Sequence, residues 1–139
     1  MNATTAKARH ILESGSYTCV LCNGDQVITD TRRGIRPLLE LLDSQSSWEG
    51  YCAADKVVGK AAAYLYHLLG IEAVYAHVVS QPAAAVLAQY GIDLTYDTLV
   101  PAIANRDGTG FCPMETAVWN IDDPLQALEA VRQQLAKLS

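Results

Sequence analysis

Charge is sparse in this chain, and positive charge is sparser still. Asp, Glu, Lys and Arg make up 18% of its 139 residues, and the formal net charge is -5. Tracking the phosphates of a nucleic acid needs clustered cations. The one basic cluster, Thr31-Arg32-Arg33-Gly34-Ile35-Arg36, is too small for that, although it can meet a single anionic ligand. No apolar run approaches the ~20 residues needed to cross a bilayer. The opening residues also lack the basic start and apolar stretch of an export signal. Neither nucleic acid nor membrane is therefore an expected partner, and the chain reads as cytoplasmic. In that compartment Cys19, Cys22, Cys52 and Cys112 are thiols rather than disulfides.

Several catalytic signatures are missing as well. There is no Gly-x-Ser-x-Gly elbow and no Gly-x-Gly-x-x-Gly after a strand. No Gly-Lys-Ser/Thr follows the turn-rich Asn105–Gly110 stretch, so it is not a Walker loop. Cys19 and Cys22 are spaced Cys-x-x-Cys, but no second pair completes a zinc knuckle. They lie in an apolar run, where side chains three apart point to opposite faces of a strand, so core thiols are the simpler reading. His10, His67 and His77 are scattered without ligand spacing and read as structural or surface residues.

What is present is the pattern of one α/β domain. Half the residues are apolar, enough for a single core at this length. A helix is expected over Ala3–Leu12. Tyr17–Cys22 and Asp25–Asp30 follow as a hairpin about Asn23-Gly24 in a type I′ turn. A short helix to Leu42 and a strand over Trp48–Cys52 come next. Helical spacing predicts a helix over Asp55–Leu69, ended by Gly70. Ile71–Val79 reads as a buried strand and Ser80-x-Pro82 as the start of a helix to Tyr90. A strand over Leu94–Val100, a helix start at Cys112-Pro113 and an amphipathic helix after Asp123-Pro124 complete the chain. In the last helix Leu128, Val131, Leu135 and Leu138 share one stripe, which serves either as core or as the seam of a homodimer. Strands alternating with helices predict a three-layer α/β/α domain with a mixed five-stranded sheet.

Ligands of such sheets gather beyond the carboxyl ends of strands and beside helix N-termini. Two stretches carry suitable side chains. In the first, Cys52 to Lys60, Asp55 reads as a helix cap. Gly59 reads as a position where a ligand or a neighbouring backbone comes close, and Lys56 and Lys60 share a helix face. Lys60 is expected in solvent, whereas Lys56 is left open between solvent and a phosphate. The second stretch is Asn105-Arg106-Asp107-Gly108-Thr109-Gly110-Phe111-Cys112-Pro113-Met114-Glu115. Its glycine-bearing loop enters a helix N-terminus and can present amides to an anion. Cys112 precedes that helix, where the dipole favours thiolate, and Glu115 follows one turn later as a base or a capping partner.

Together Gly34-Ile35-Arg36-Pro37-Leu38, Ala54 to Ala63 and Asn105 to Glu115 resemble a small family of bacterial and archaeal proteins of unknown function with a cytidine deaminase-like fold. The resemblance covers nearly the whole chain and implies that fold. Zinc deaminases pair His/Cys-x-Glu at one helix start with Pro-Cys-x-x-Cys at the next. By order of elements the first falls near Thr31–Arg36, which holds no His, Cys or Glu. The second falls at Tyr51–Asp55, where Cys52-Ala-Ala-Asp55 keeps one cysteine and replaces the other by aspartate. Cys112-x-x-Glu115 is a later echo. The deaminase machinery is incomplete, and the cofactor is left unknown.

Three functional readings follow. The leading one is a small-molecule site for a nucleotide-like anion between Asp55 and the Asn105–Glu115 loop. In it Asp55, Cys112 and Glu115 carry any chemistry, and Cys52, Lys56, Gly59, Asn105, Arg106, Gly108, Thr109, Gly110, Pro113 and Met114 line the ligand. The second is a remodelled metal centre of Cys52, Asp55, Cys112 and Glu115. The third is a non-catalytic dimeric interaction module.

Overall fold

The structure is a computed structural model that describes residues 1–105 and 107–138. Its elements run α1 (Ala3–Ser14), β1 (Cys19–Asn23), β2 (Gln26–Asp30), α2 (Arg36–Asp43), β3 (Cys52–Val58), α3 (Lys60–Leu69), β4 (Ala73–Ser80), α4 (Gln81–Gln89), β5 (Asp93–Val100), α5 (Pro113–Val118) and α6 (Pro124–Leu138). The strand order is β2-β1-β3-β4-β5. β1 runs antiparallel to both β2 and β3, while β3, β4 and β5 are parallel. The expected mixed five-stranded sheet is present.

Each face of the sheet has its own core. On one side Cys19, Leu21, Ala53, Val74 and Ala76 pack with residues of α2, α3, α4, α5 and α6. On the other, Val20, Cys22, Ala54 and Tyr75 pack under Ala8 and Leu12 of α1. Cys19 and Cys22 therefore face opposite ways, as their spacing requires. α3 is the hub of the larger layer: Ala61, Ala62 and Ala63 let it lie close on the sheet, while Tyr64, Leu65 and Tyr66 are almost wholly buried. Its end is the expected Gly70, at φ 80° in the left-handed region that glycine enters without strain. The helix starts at Asn2, Ser80 and Asp123 are capped by side chains that accept the amides of Thr5, Ala83 and Gln126.

Three expectations need correction. First, Asp55–Val58 belongs to a strand. β3 covers Cys52–Val58 rather than Trp48–Cys52, and α3 begins only at Lys60 with Gly59 as its cap. Asp55 is thus no helix cap. Alanines on both faces of β3 imitate helical periodicity, because α1 and the larger helical layer press on the strand from either side. Second, Asn23 pairs with Gln26, so the hairpin loop is Gly24-Asp25. Only Gly24 takes a positive φ, of 58°, which is the signature of a type II′ turn and not type I′. Third, Lys60 is only 7% exposed, not solvated.

The stripe of α6 is core. Val131 is fully buried, and Leu128 and Leu135 pack against the larger cluster, while Leu138 at the helix end is exposed. Of the two readings of this stripe, core is the one the packing supports. Among the described residues no helix is long and apolar enough to cross a membrane. Replacing Val131 by Ala should cost about 2 kcal/mol, counting two buried carbons at ~0.8 kcal/mol each plus a cavity. Urea denaturation measures that loss, and size-exclusion chromatography should show an unchanged oligomeric state.

Candidate functional site

Asp55 is the middle residue of β3, directly opposite Cys19, the first residue of β1. Its Oδ2 accepts the Tyr66 hydroxyl of α3 at 2.6 Å, and its Oδ1 accepts the amide of Val57 at 3.2 Å. The Cys19 sulfur lies 3.4 Å from the Tyr66 oxygen. The phenol has one proton and gives it to Asp55, so the thiol is the donor in that second contact. Burial dominates the electrostatics. It pushes the Asp55 carboxyl up to about 6, against the opposing pull of the Tyr66 hydroxyl and the backbone amides. Burial and the nearby Asp55 charge also raise Tyr66 and Cys19 well above their ordinary ranges. A buried carboxyl raised to about 6 is the chemically versatile group of this fold.

The basic Thr31–Arg36 segment meets β3 through Thr18. The Thr18 carbonyl accepts the Lys56 amide, and the Thr18 hydroxyl donates to the Arg32 carbonyl at 2.6 Å. Thr18 thus joins the basic segment to the β3 edge. Arg32 is committed, paired with Asp30 at 2.7 Å and with Glu40. Arg33, Arg36 and Lys56 are exposed, and among the described residues their side chains have no partner. Beside them a cavity of about 220 Å³ runs between the hairpin and α2, lined by Cys19, Asp30, Arg32, Pro37 and Glu40 among others.

Glu115 lies elsewhere and does a different job. It is 1% exposed. Its Oε1 accepts the Lys60 amide at 2.5 Å, and its Oε2 accepts the Ile103 amide at 2.9 Å. The carboxylate thereby occupies the positive end of α3. This explains Gly59: a Cβ there would lie 3.2 Å from Glu115 Oε1 and 3.3 Å from Ile103 Cγ1. The close approach expected at Gly59 is real, and the approaching group is the protein's own carboxylate. From the same helical turn, Lys60 Nζ donates to the Trp119 carbonyl at 3.0 Å and Tyr64 to the Ile121 carbonyl at 2.9 Å.

The remaining candidates do not converge. Cys52 faces α1, its sulfur 3.6 Å from the Asn2 amide nitrogen, on the opposite side of the sheet from Asp55. Asn105 folds its loop upon itself. It accepts the Thr109 amide at 3.0 Å and pairs through its backbone with Gly108 and Gly110, with Gly108 at φ 69°. Arg106 lies outside the described residues. Cys112 is half-buried at the start of the six-residue α5, Pro113 is exposed, and Met114 is buried. Among the described residues no three His, Cys, Asp or Glu side chains gather as metal ligands. The four-ligand centre of Cys52, Asp55, Cys112 and Glu115 does not fit, because β3 turns Cys52 and Asp55 to opposite faces. Nor does a deaminase ligand set, since the true start of α3 reads Gly59-Lys60-Ala61-Ala62.

Sequence reasoning missed Tyr66 and Cys19. One was absorbed into a helical stripe and the other into a core strand, and only their register with Asp55 distinguishes them. It also missed a surface network in which Asp97 accepts Tyr75 at 2.5 Å and contacts His77 at 3.0 Å, with Arg9 3.7 Å away. These three partners hold the Asp97 carboxyl below its usual range, Tyr75 contributing most.

The architecture defines a three-layer α/β/α domain with a polar cluster of Asp55, Tyr66 and Cys19 at the middle of β3. Over residues 7–135 the chain matches the family described as "TM1506: Domain of unknown function (DUF1893)", and it belongs to that family. The crystal structure of a DUF1893 family protein (TM1506) from Thermotoga maritima is 30% identical. It superposes with a TM-score of 0.86 over 99% of this chain and 91% of its own. A dCMP deaminase from the cyanophage S-TIM5, in apo form, overlaps far less. There the TM-score is 0.45 at 13% identity, over 68% of this chain and 94% of the other, too slight to bear on function. No curated protein matches.

Glu115→Gln tests the clamp. A carboxylate accepts both amides, whereas a glutamine accepts one and turns an NH₂ toward the other. The expected cost is about 2–4 kcal/mol in urea denaturation. Gly59→Ala should cost about 1–3 kcal/mol through crowding alone, since Gly59 has an unstrained φ of -95°.

Proposed function

We propose that the protein binds a small phosphate-bearing, nucleotide-like molecule beside the middle of β3, where β1 begins, with Asp55 as the proton-transferring or polar-recognition group. The observation that carries this reading is the Asp55 carboxyl itself. It is held by Tyr66 at 2.6 Å and raised by burial to about 6. Arg33 and Arg36, exposed on the segment that Thr18 ties to β3, supply charge for a phosphate. Asp55 in its ionised form accepts a hydroxyl or amine hydrogen bond, and near pH 6 it can give or take a proton. Glu115 holds the start of α3 in place instead of touching the ligand. This moves the site from the cleft first expected between Asp55 and the Asn105–Glu115 loop to the opposite flank of Asp55.

The decisive experiment is a thermal-shift panel of nucleoside mono-, di- and triphosphates on the wild type, Asp55→Asn and the Arg33→Ala/Arg36→Ala double variant. A nucleotide should raise the wild-type melting temperature, with the response reduced in both variants. A flat panel on the wild type would remove the proposal's support.

The Asp55 titration gives a separate prediction. Its folded carboxyl titrates at about 6, and its unfolded one at about 3.9. The folded state therefore holds this proton more tightly, so the associated stability is fully present below about pH 4 and is lost as pH rises through about 6. Between pH 7 and pH 4.5 the wild type should gain on the order of 2 kcal/mol relative to Asp55→Asn. The comparison with Asp55→Asn cancels the opposite trend of Asp30, Asp43 and Asp97, whose carboxyls are lowered by their partners. Denaturation curves at both pH values measure it.

A further inference from the structure

On the α1 face of the sheet, the Asp97 network surrounds a histidine whose outer nitrogen is free. His77 Nδ1 lies 3.0 Å from Asp97 Oδ2, and the same oxygen accepts the Tyr75 hydroxyl at 2.5 Å. The carboxyl is held below its usual range by these partners. An ionised carboxylate has no proton to give, so Nδ1 carries the proton and donates it. That tautomer turns the lone pair of Nε2 outward. The His77 side chain is 60% exposed, and among the described residues Nε2 has no partner.

The support beneath this pair comes from the core. Tyr75 is 1% exposed, and its hydroxyl is spent on Asp97. The Arg9 guanidinium lies 4.6 Å from the centre of the Tyr75 ring and 3.7 Å from the second Asp97 oxygen, and it donates to Glu13 at 2.5 Å. Strand register adds a cation. Asp55 pairs with Ala76 and Val57 with Val78, so Lys56 stands level with His77 one strand away, at a spacing of about 4.8 Å. Ala54 and Tyr75 belong to the core under α1, and two residues further on Lys56 and His77 project to that same face. Lys56 is exposed and, among the described residues, without a partner. Lys56, His77 and Asp97 thus form one row across three parallel strands.

We infer that His77 is a phosphoryl-acceptor site, its Nε2 taking the phosphoryl group of a small acyl phosphate. The Nε2 lone pair forms a bond to phosphorus, the bond from phosphorus to the acyl oxygen breaks, and its electron pair leaves with the carboxylate. The Nδ1 proton stays in the Asp97 hydrogen bond, so the positive charge gained by the ring faces a carboxylate. Lys56 meets the phosphoryl oxygens. Phosphoryl transfer asks chiefly for an aligned nucleophile and neutralised charge, and this row supplies both. Acyl transfer from the same donor asks in addition for fixed donors aimed at a developing oxyanion, a task unsuited to one flexible ammonium. The site shares no side chain with the Asp55 cluster, which faces α3, and does not rest on that reading.

Incubating the whole protein with acetyl phosphate and mapping the modified peptides by mass spectrometry, without acid treatment, tests it. His10 is the internal reference, exposed like His77 but without a partner among the described residues. His77 should gain a phosphoryl group about tenfold faster than His10, the advantage of a charge-assisted hydrogen bond on Nδ1. Asp97→Asn and Tyr75→Phe should bring His77 toward the His10 rate and leave His10 unchanged, whereas a general loosening of the fold would not separate the two. Lys56→Ala should slow His77 alone, and Asp55→Asn should leave both rates as they were. Equal labelling of His77 and His10, or no label on His77, would overturn the proposal. So would an acetyl group there in place of a phosphoryl group, or a His77 rate indifferent to both Asp97→Asn and Lys56→Ala.

Discussion

A buried carboxylate holds the carboxyl-terminal part of this chain to its centre. Glu115 accepts one amide from the first turn of α3 and another from Ile103, and the absence of a side chain at Gly59 allows the approach. Removing that carboxylate would leave two buried donors unanswered. Lys60 and Tyr64, one turn apart on the same helix, pin the carbonyls of Trp119 and Ile121. These contacts fix α5, and through it the entry of α6, whose apolar stripe closes the larger core. The position of α3 in turn sets that of Tyr66, and hence the environment of Asp55.

That dependence separates two carboxylates that look equivalent in the sequence. Each reads as a residue at a helix start, Asp55 before α3 and Glu115 in the first turn of α5. Glu115 meets donors on both oxygens at the positive end of α3, which is a structural contact in a water-excluded place. Asp55 meets one hydroxyl and one amide in the middle of the central strand, where burial outweighs its hydrogen bonds and raises the carboxyl toward neutrality. The first locks the fold, and the second retains proton-transfer capacity.

The elements with strong local chemistry were legible: the capped starts at Ser80 and Asp123, the left-handed stop at Gly70, and the stripe of α6. The failure fell on β3. Cys52-Ala-Ala-Asp-Lys-Val-Val lacks alternation because α1 and α3 cover its first residues from both faces, and alanine suits either secondary structure. Extending α3 back over it made Asp55 a cap and set Cys52 beside it as a companion ligand. Gly59 was noticed correctly as a place of close approach, yet nothing local named the visitor, which comes from a residue fifty-six positions later.

The sequence by itself determined an α/β domain with a mixed five-stranded sheet, two polar stretches worth attention and an incomplete deaminase pattern. Those follow from periodicity, capping and residue type, which act over a few residues. Only the tertiary structure decided that Asp55 pairs with Tyr66 and Cys19, that Glu115 serves α3, that Cys52 faces away, and that His77 meets Asp97. Each of these depends on strand register and on which face of the sheet a side chain meets. A single-residue slip in register reverses the face, and long-range packing rather than local sequence sets that register.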